Sequence, residues 1–240
     1  MTLEPYHDNQ RYRSQHVKWS GMDNSVRFEQ HINDPVSRAR LEELGYLDPD
    51  CISYSYNSHG FRDDEFNNEP AVLALGCSFT EGVGVSLNAT WSRQLSDMMG
   101  MRVWNLGVGG SASDTAYRLA EYWLDHLDIK FVAMLVPNVE RFEIWNSGMA
   151  HVVMHNNHQD FDIVGYKKIY WANNKNGQIN QNKNLHAIKH LCHERKIPFC
   201  FQFPELCNKA DLGRDLAHWG PQTNKMLAEK MYNSLKEVSL

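Results

Sequence analysis

Hydrophobic positions are sparse and aperiodic over the first 70 residues and become regular after Pro70. Residues 1–70 are rich in Asp, Asn, Ser, Arg and Tyr, with Pro5, Pro35, Pro49 and Pro70 as punctuation. That pattern predicts mostly irregular chain, with one short helix over residues 36–44. A segment without a periodic apolar face is expected to wrap a main domain rather than form a second core. Beyond Pro70 the run AVLALG (71–76) is continuously apolar and stopped by glycine, which predicts a strand buried on both faces. A helix is expected over 90–99, a second strand over 102–106 (RVWNL), and a third over 131–136 (FVAMLV), stopped by Pro137. Between the last two, residues 113–127 place Ala116, Leu119, Ala120, Trp123, Leu124 and Leu127 on one helical face. A helix over 182–195, a strand over 197–203 and a last helix from Pro221, a residue favoured in a first helical turn, complete the pattern. Residues 142–177 give no clear period; 163–171 could form a strand pair or an excursion.

Alternating buried strands and amphipathic helices predict a parallel sheet covered on both faces. The expected organisation is an irregular N-terminal extension over 1–70 packed on one α/β domain over 71–240. Composition adds only exclusions. The formal net charge of -5 gives no electrostatic footprint for nucleic acid or an anionic membrane. No apolar run approaches the ~18 residues of a membrane span, and the first twenty residues carry no secretory h-region. Five cysteines without a C-x-x-C pair point to reduced thiols rather than disulfides or a zinc site, and so to a cytoplasmic setting by default. Neither cofactor nor metal is expected.

In open parallel sheets, ligands sit beyond the carboxyl ends of the strands. The segments leaving the four strands are Cys77-Ser78-Phe79-Thr80, Gly107-Val108-Gly109-Gly110-Ser111, Pro137-Asn138-Val139-Glu140, and 207–220 with Asp211, Asp215 and His218. A serine becomes a nucleophile when a base takes its proton. His218 is the candidate base, and Asp215, three residues earlier, can fix its tautomer. The oxyanion built by attack on an acyl carbon needs placed donors. The N–H groups of Ser78 and Gly110 and the amide of Asn138 could supply them. Each piece alone is ordinary: a serine after a strand usually caps a turn, and so does an asparagine. Fifteen aspartates and 12 histidines in 240 positions give somewhat under one Asp-x-x-His pair by chance. The order of the pieces and their common rim carry the reading.

Rival motifs are weaker. Gly107-x-Gly109-x-x-Ala112 is a loose dinucleotide fingerprint, but no acid ends the next strand to hold a ribose. The loop around Gly82 and Gly84 lacks the Gly-Lys-Ser/Thr ending of a phosphate loop. His151, His155 and His158 share a face only if helical, and the stretch has β-branched and Asn residues unsuited to a helix. Trp145, Tyr166, Tyr170 and Trp171 could line a cleft, though such aromatics more often fill a core.

The segment Leu75-Gly76-Cys77-Ser78-Phe79-Thr80-Glu81-Gly82-Val83-Gly84-Val85 resembles the first block of the SGNH hydrolases, also called the GDSL esterase/lipase family. Asn105-Leu106-Gly107-Val108-Gly109-Gly110 resembles the second block, whose final glycine donates an oxyanion N–H, and Asp215-Leu216-Ala217-His218 the fifth. The resemblance runs from about Ala71 to the C-terminus. It implies a flavodoxin-like three-layer α/β/α sandwich and ester hydrolysis through a serine acyl-enzyme. The carried-over residues are Ser78, Asp215 and His218 as triad, with Ser78, Gly110 and Asn138 as oxyanion donors. Two blocks depart from the family: Gly76-Cys77-Ser78 replaces Gly-Asp-Ser, and Val136-Pro137-Asn138-Val139 lacks the Gly and Asp of Gly-x-Asn-Asp. Asn57-Ser58-His59-Gly60-Phe61-Arg62 also resembles a stretch preceding the serine block in some members. The expected substrate is a small-molecule or carbohydrate ester, with an O-acetyl or other short acyl group. An acyltransferase using the same site, and a non-catalytic module retaining the fold, are the alternatives.

Overall fold

A computed structural model describes residues 4–146, 149–153 and 175–238. Before Pro70 the chain forms a two-residue pair, β1 (His16–Val17) with β2 (Tyr54–Ser55), and two helices, α1 (Ser25–Asn33) and α2 (Pro35–Glu43). Helix α2 lies where the sequence predicts one, started by the Asp34 side chain accepting the Ser37 N–H at 2.8 Å with Pro35 in the first turn. Helix α1 is not anticipated: of its nine residues only Phe28 is buried, and its start is capped by the Asn24 side chain, which accepts the Arg27 N–H at 2.9 Å. Phe28, Leu41, Tyr46, Ile52, Tyr54 and Tyr56 form a small apolar cluster of their own. These residues are spread through the sequence without a period, and Leu216 from the far end of the chain packs against them.

The main sheet has four parallel strands: β3 (Ala71–Gly76), β4 (Arg102–Gly107), β5 (Ile129–Leu135) and β8 (Phe199–Gln202), in the spatial order β4-β3-β5-β8. Between β5 and β8 lies an antiparallel hairpin, β6 (Phe142–Asn146) with β7 (Met149–Val153). Alternation along the strands divides the core. Leu73, Leu75, Trp104, Leu106, Val132 and Met134 face α5 (Ser113–Trp123) and α6 (Lys175–Glu194). Val72, Ala74, Val103, Ala133 and Leu135 face α4 (Trp91–Met99) and α7 (Pro221–Val238). The product is a three-layer α/β/α sandwich with the flavodoxin-type strand order. Phe61, from the N-terminal extension, is fully buried in the first of these cores beside Trp104 and Trp123. Among the described residues, no helix is long and apolar enough to cross a membrane.

His151 stands on β7, in register with Ile144, so no helical face begins there. His155, His158, Tyr166, Tyr170, Trp171 and the 163–171 segment lie outside the described residues. Among the described residues no group of His, Cys, Asp and Glu could hold a metal ion.

Candidate active site

Strand β3 ends at Gly76, and after Cys77 the chain turns into a single helical turn, α3 (Ser78–Glu81). The Cys77 carbonyl accepts the N–H groups of Thr80 and Glu81, both at 2.9 Å, which leaves Ser78 at the head of the turn. Strand β4 ends hard against it: a Cβ on Gly107 would stand 2.2 Å from the Glu81 nitrogen, so only glycine permits this approach. Ser78 is buried to 8% exposure yet borders a cleft.

The segment opposite is a tight loop between β8 and α7. The Gly213 N–H donates to the His218 carbonyl at 2.9 Å, and Leu212 bridges to Trp219. Within it the Asp215 Oδ1 accepts the N–H groups of Ala217 (3.1 Å) and His218 (3.0 Å). Leu216 takes a left-handed φ of 52°, a cost of order 1 kcal/mol for a residue with a branched side chain. Its side chain recovers contact in the N-terminal apolar cluster.

These two segments bring Ser78, His218 and Asp215 into one hydrogen-bonded line. His218 Nε2 lies 2.8 Å from Ser78 Oγ, and Nδ1 lies 2.5 Å from Asp215 Oδ2. All three residues are buried. Burial alone would raise the Asp215 carboxyl. The hydrogen bond and charge of His218, with the two backbone N–H donors, outweigh it and hold the group below the usual carboxylate range. The carboxylate therefore stays ionised at neutral pH and fixes Nδ1 as the protonated nitrogen, leaving Nε2 free to accept a proton from Ser78. The Phe79 ring packs on the imidazole at 4.9 Å between centroids and restricts its rotation.

The donors divide. The N–H groups of Ser78 and Gly110 have no acceptor among the described residues, and both residues line the cleft. Gly110 has φ +76°, a conformation open to glycine, while the neighbouring Gly109 N–H is taken by Glu81 Oε2 at 2.6 Å. Asn138 does not join them. It is exposed, it does not line the cleft, and its side-chain carbonyl accepts the Glu140 N–H at 2.8 Å. Such a bond two residues on is the ordinary turn-forming habit of asparagine. Asp211 is likewise turned elsewhere: its carboxylate accepts the N–H groups of Gln222 and Thr223, both at 2.8 Å, at the start of α7.

Several supports were not legible as site residues. Glu81 is 1% exposed; its Oε1 accepts the hydroxyls of Tyr56 (2.6 Å) and Ser20 (3.2 Å), so it ties the extension to the glycine loop. Arg62, fully buried, donates to the carbonyls of Gly82, Val85 (2.8 Å) and Ser53 (3.0 Å), and so clamps the chain leaving α3. It closes the Asn57–Arg62 stretch, whose Asn57 Oδ1 accepts the N–H groups of His59 and Phe61, both at 3.0 Å. Arg214, next to Asp215, is fully buried against Asp23 at 2.6 Å and also donates to the carbonyls of Lys18, Pro49 and Ile52. From α1, Arg27 Nε and His31 Nε2 donate to the Asp215 carbonyl at 2.9 and 3.2 Å. The cleft, about 330 Å³, is walled by both parts of the chain: Asp8, Asn9, Arg11 and Ser20 on one side, Ser78, Gly110 and His218 on the other.

No protein-family profile and no curated protein matches this chain. Among solved structures similar to it are SGNH- and GDSL-type esterases and lipases. One is a psychrotrophic esterase, EstA, from Pseudoalteromonas sp., inhibited by monoethylphosphonate: 14% identity over 72% of this chain and 74% of that one, TM-score 0.35. Another is AlinE4, an SGNH-hydrolase family esterase, at 16% identity over 72% and 74% with TM-score 0.37. A third is a lipolytic protein of the G-D-S-L family from Desulfitobacterium hafniense, described as putative, at 16% identity over 70% and 98% with TM-score 0.34. At such distances the chemistry has to be argued from this chain's own side chains.

Proposed function

We propose that the protein is a serine esterase that cleaves short acyl esters through an acyl-enzyme. The carrying observation is the unbroken line from Ser78 Oγ to His218 Nε2 and from His218 Nδ1 to Asp215, opening into a cleft with two unused backbone N–H donors. In this reading His218 Nε2 takes the Ser78 proton as Oγ attacks the acyl carbon. The oxygen of the tetrahedral intermediate draws the N–H groups of Ser78 and Gly110. His218 then returns the proton to the leaving alcohol, and water repeats the sequence to release the acid. Asp215, anionic throughout, stabilises the imidazolium formed in each half-reaction. A volume of about 330 Å³ supports a compact ester rather than a long acyl chain.

A fluorophosphonate probe should label the protein once, at Ser78, and Ser78→Ala should abolish the label. His218→Ala should lower kcat by orders of magnitude on a short-chain acetate. Folded protein that resists the probe, or takes it at another serine, overturns the assignment.

A further inference from the structure

Several arginines elsewhere in the protein are matched to carboxylates, among them Arg93 to Asp63 and Asp64, Arg118 to Glu143, Arg195 to Asp125 and Arg214 to Asp23, while the buried Arg62 is met by backbone carbonyls. The two arginines that line the Ser78 cleft, Arg11 and Arg141, have no carboxylate within 4.0 Å among the described residues. Arg141 gives its Nη1 to the Ser111 carbonyl at 3.3 Å, while its Nε is buried and has no hydrogen-bond partner. Nη2 has no acceptor among the described residues and is not enclosed as Nε is, so it is the guanidinium nitrogen open to a ligand. Arg11 lies over the Tyr12 ring at 4.7 Å, with its charge at the exposed rim. The acids in the same cleft are already engaged: Asp8 accepts the Tyr6 hydroxyl at 3.2 Å, and Glu81 holds Tyr56, Ser20 and Gly109. A guanidinium that lines a cleft without a carboxylate partner favours an anionic group on the ligand that fills it.

We infer that Arg141 forms a carboxylate subsite, so that the ester cleaved at Ser78 carries a carboxylate that docks on the Arg141 Nη2, with Arg11 adding charge at the mouth. A monoanion fits better than a phosphate dianion, because Asp8 and Glu81 share the cleft and repel the second charge. The subsite rests on the esterase reading for its reaction, but its binding can be measured without turnover.

The test uses two rigid ester pairs that differ only in charge. 4-Carboxyphenyl acetate against 4-carbamoylphenyl acetate places the group on the alcohol side. 4-Nitrophenyl 4-carboxybenzoate against its 4-carbamoyl analogue places it on the acyl side. In at least one pair the charged ester should have roughly tenfold or more the kcat/KM of the neutral one at low salt, a preference that weakens with added salt. Arg141→Gln should bring that ratio towards one, and Arg141→Lys should keep part of it. Calorimetric titration of Ser78→Ala protein with the same esters should give the same order of affinity, again lost with Arg141→Gln. Charge-selective binding that depends on Arg141 without any turnover would keep the subsite and overturn the esterase reading. No charge preference in either pair, or a preference unchanged in folded Arg141→Gln, overturns the subsite.

Discussion

Asn138 separates two kinds of residue that look alike in a sequence. It follows the third buried strand, as an oxyanion donor would, but its side chain closes a local turn with Glu140. Gly110 follows the second strand and presents an unused N–H beside Ser78. An oxyanion donor strengthens its bond in the transition state, so its loss costs roughly 10²–10³ in kcat. A turn former is worth about 1 kcal/mol of stability and little turnover. Asn138→Ala is therefore expected to lower the melting temperature by a few degrees while kcat stays within about threefold of wild type. Measuring both on one sample decides it, and a hundredfold fall in kcat with an unchanged melting temperature would return Asn138 to the site. The serine and the Asp-x-x-His pair were legible because they follow strand ends in an order that also resembles the family blocks. Asn138 satisfied the same order, and order does not report which way a side chain turns.

At the scale of elements, the loop that carries Asp215 and His218 is fixed less by its own sequence than by the extension. Arg214 has no exposed surface, and its charge is met by Asp23, itself 1% exposed. Removing one partner of such a pair strands the other charge in the interior, at a cost of about 3–5 kcal/mol. Asp23→Ala should reduce the free energy of unfolding by about that amount in urea titrations. Arg214 adjoins Asp215, so kcat should also fall in the fraction that remains folded. A loss below about 1 kcal/mol would mean that Arg214 finds another acceptor. The four strands of the main sheet were read from sequence to within two residues at each end, because a strand buried on both faces leaves a continuous apolar run: 71–76 was predicted and Ala71–Gly76 is observed, whereas the two short pairs β1/β2 and β6/β7 were not read. Helix α1 left no such trace. Its Arg27 and His31 serve the Asp215 carbonyl, and a bond to a residue 184 or 188 positions away has no local signature. Arg62, Glu81 and Arg214 are charged residues in a folded interior, which sequence patterns place at the surface by default.

Across the whole molecule, the extension reaches the α/β core through Phe61, and buried titratable groups beside that contact bear on how the protein responds to acid. His7, 2% exposed, stacks on Phe61 at 4.3 Å and donates Nε2–H to the His59 carbonyl at 3.1 Å, while its Nδ1 has no partner. Burial pushes its pKa down to about 3, with Arg13 and Arg118 adding to the effect against the His59 bond. An unfolded histidine titrates near ~6.5. The stability that His7 contributes is thus present above that value and is lost as pH falls from it towards 3, because only the unfolded chain takes up the proton. Asp63 acts in the opposite sense: burial, against the pull of Arg93, pushes its carboxyl up to about 6. Its contribution is greatest below the unfolded value near ~3.8 and is lost as pH rises through 6. Between pH 7 and pH 5 the His7 effect should remove about 2 kcal/mol and the Asp63 effect return about 1 kcal/mol, so the two groups partly offset each other. His7→Gln keeps a donor for the His59 carbonyl and removes the titration, leaving Asp63 as it was. The variant should therefore gain on wild type by about 2 kcal/mol when both are taken from pH 7 to pH 5, read as the double difference of urea unfolding free energies. Parallel pH dependence in the two proteins would show that His7 takes up its proton in the folded state as readily as in the unfolded one.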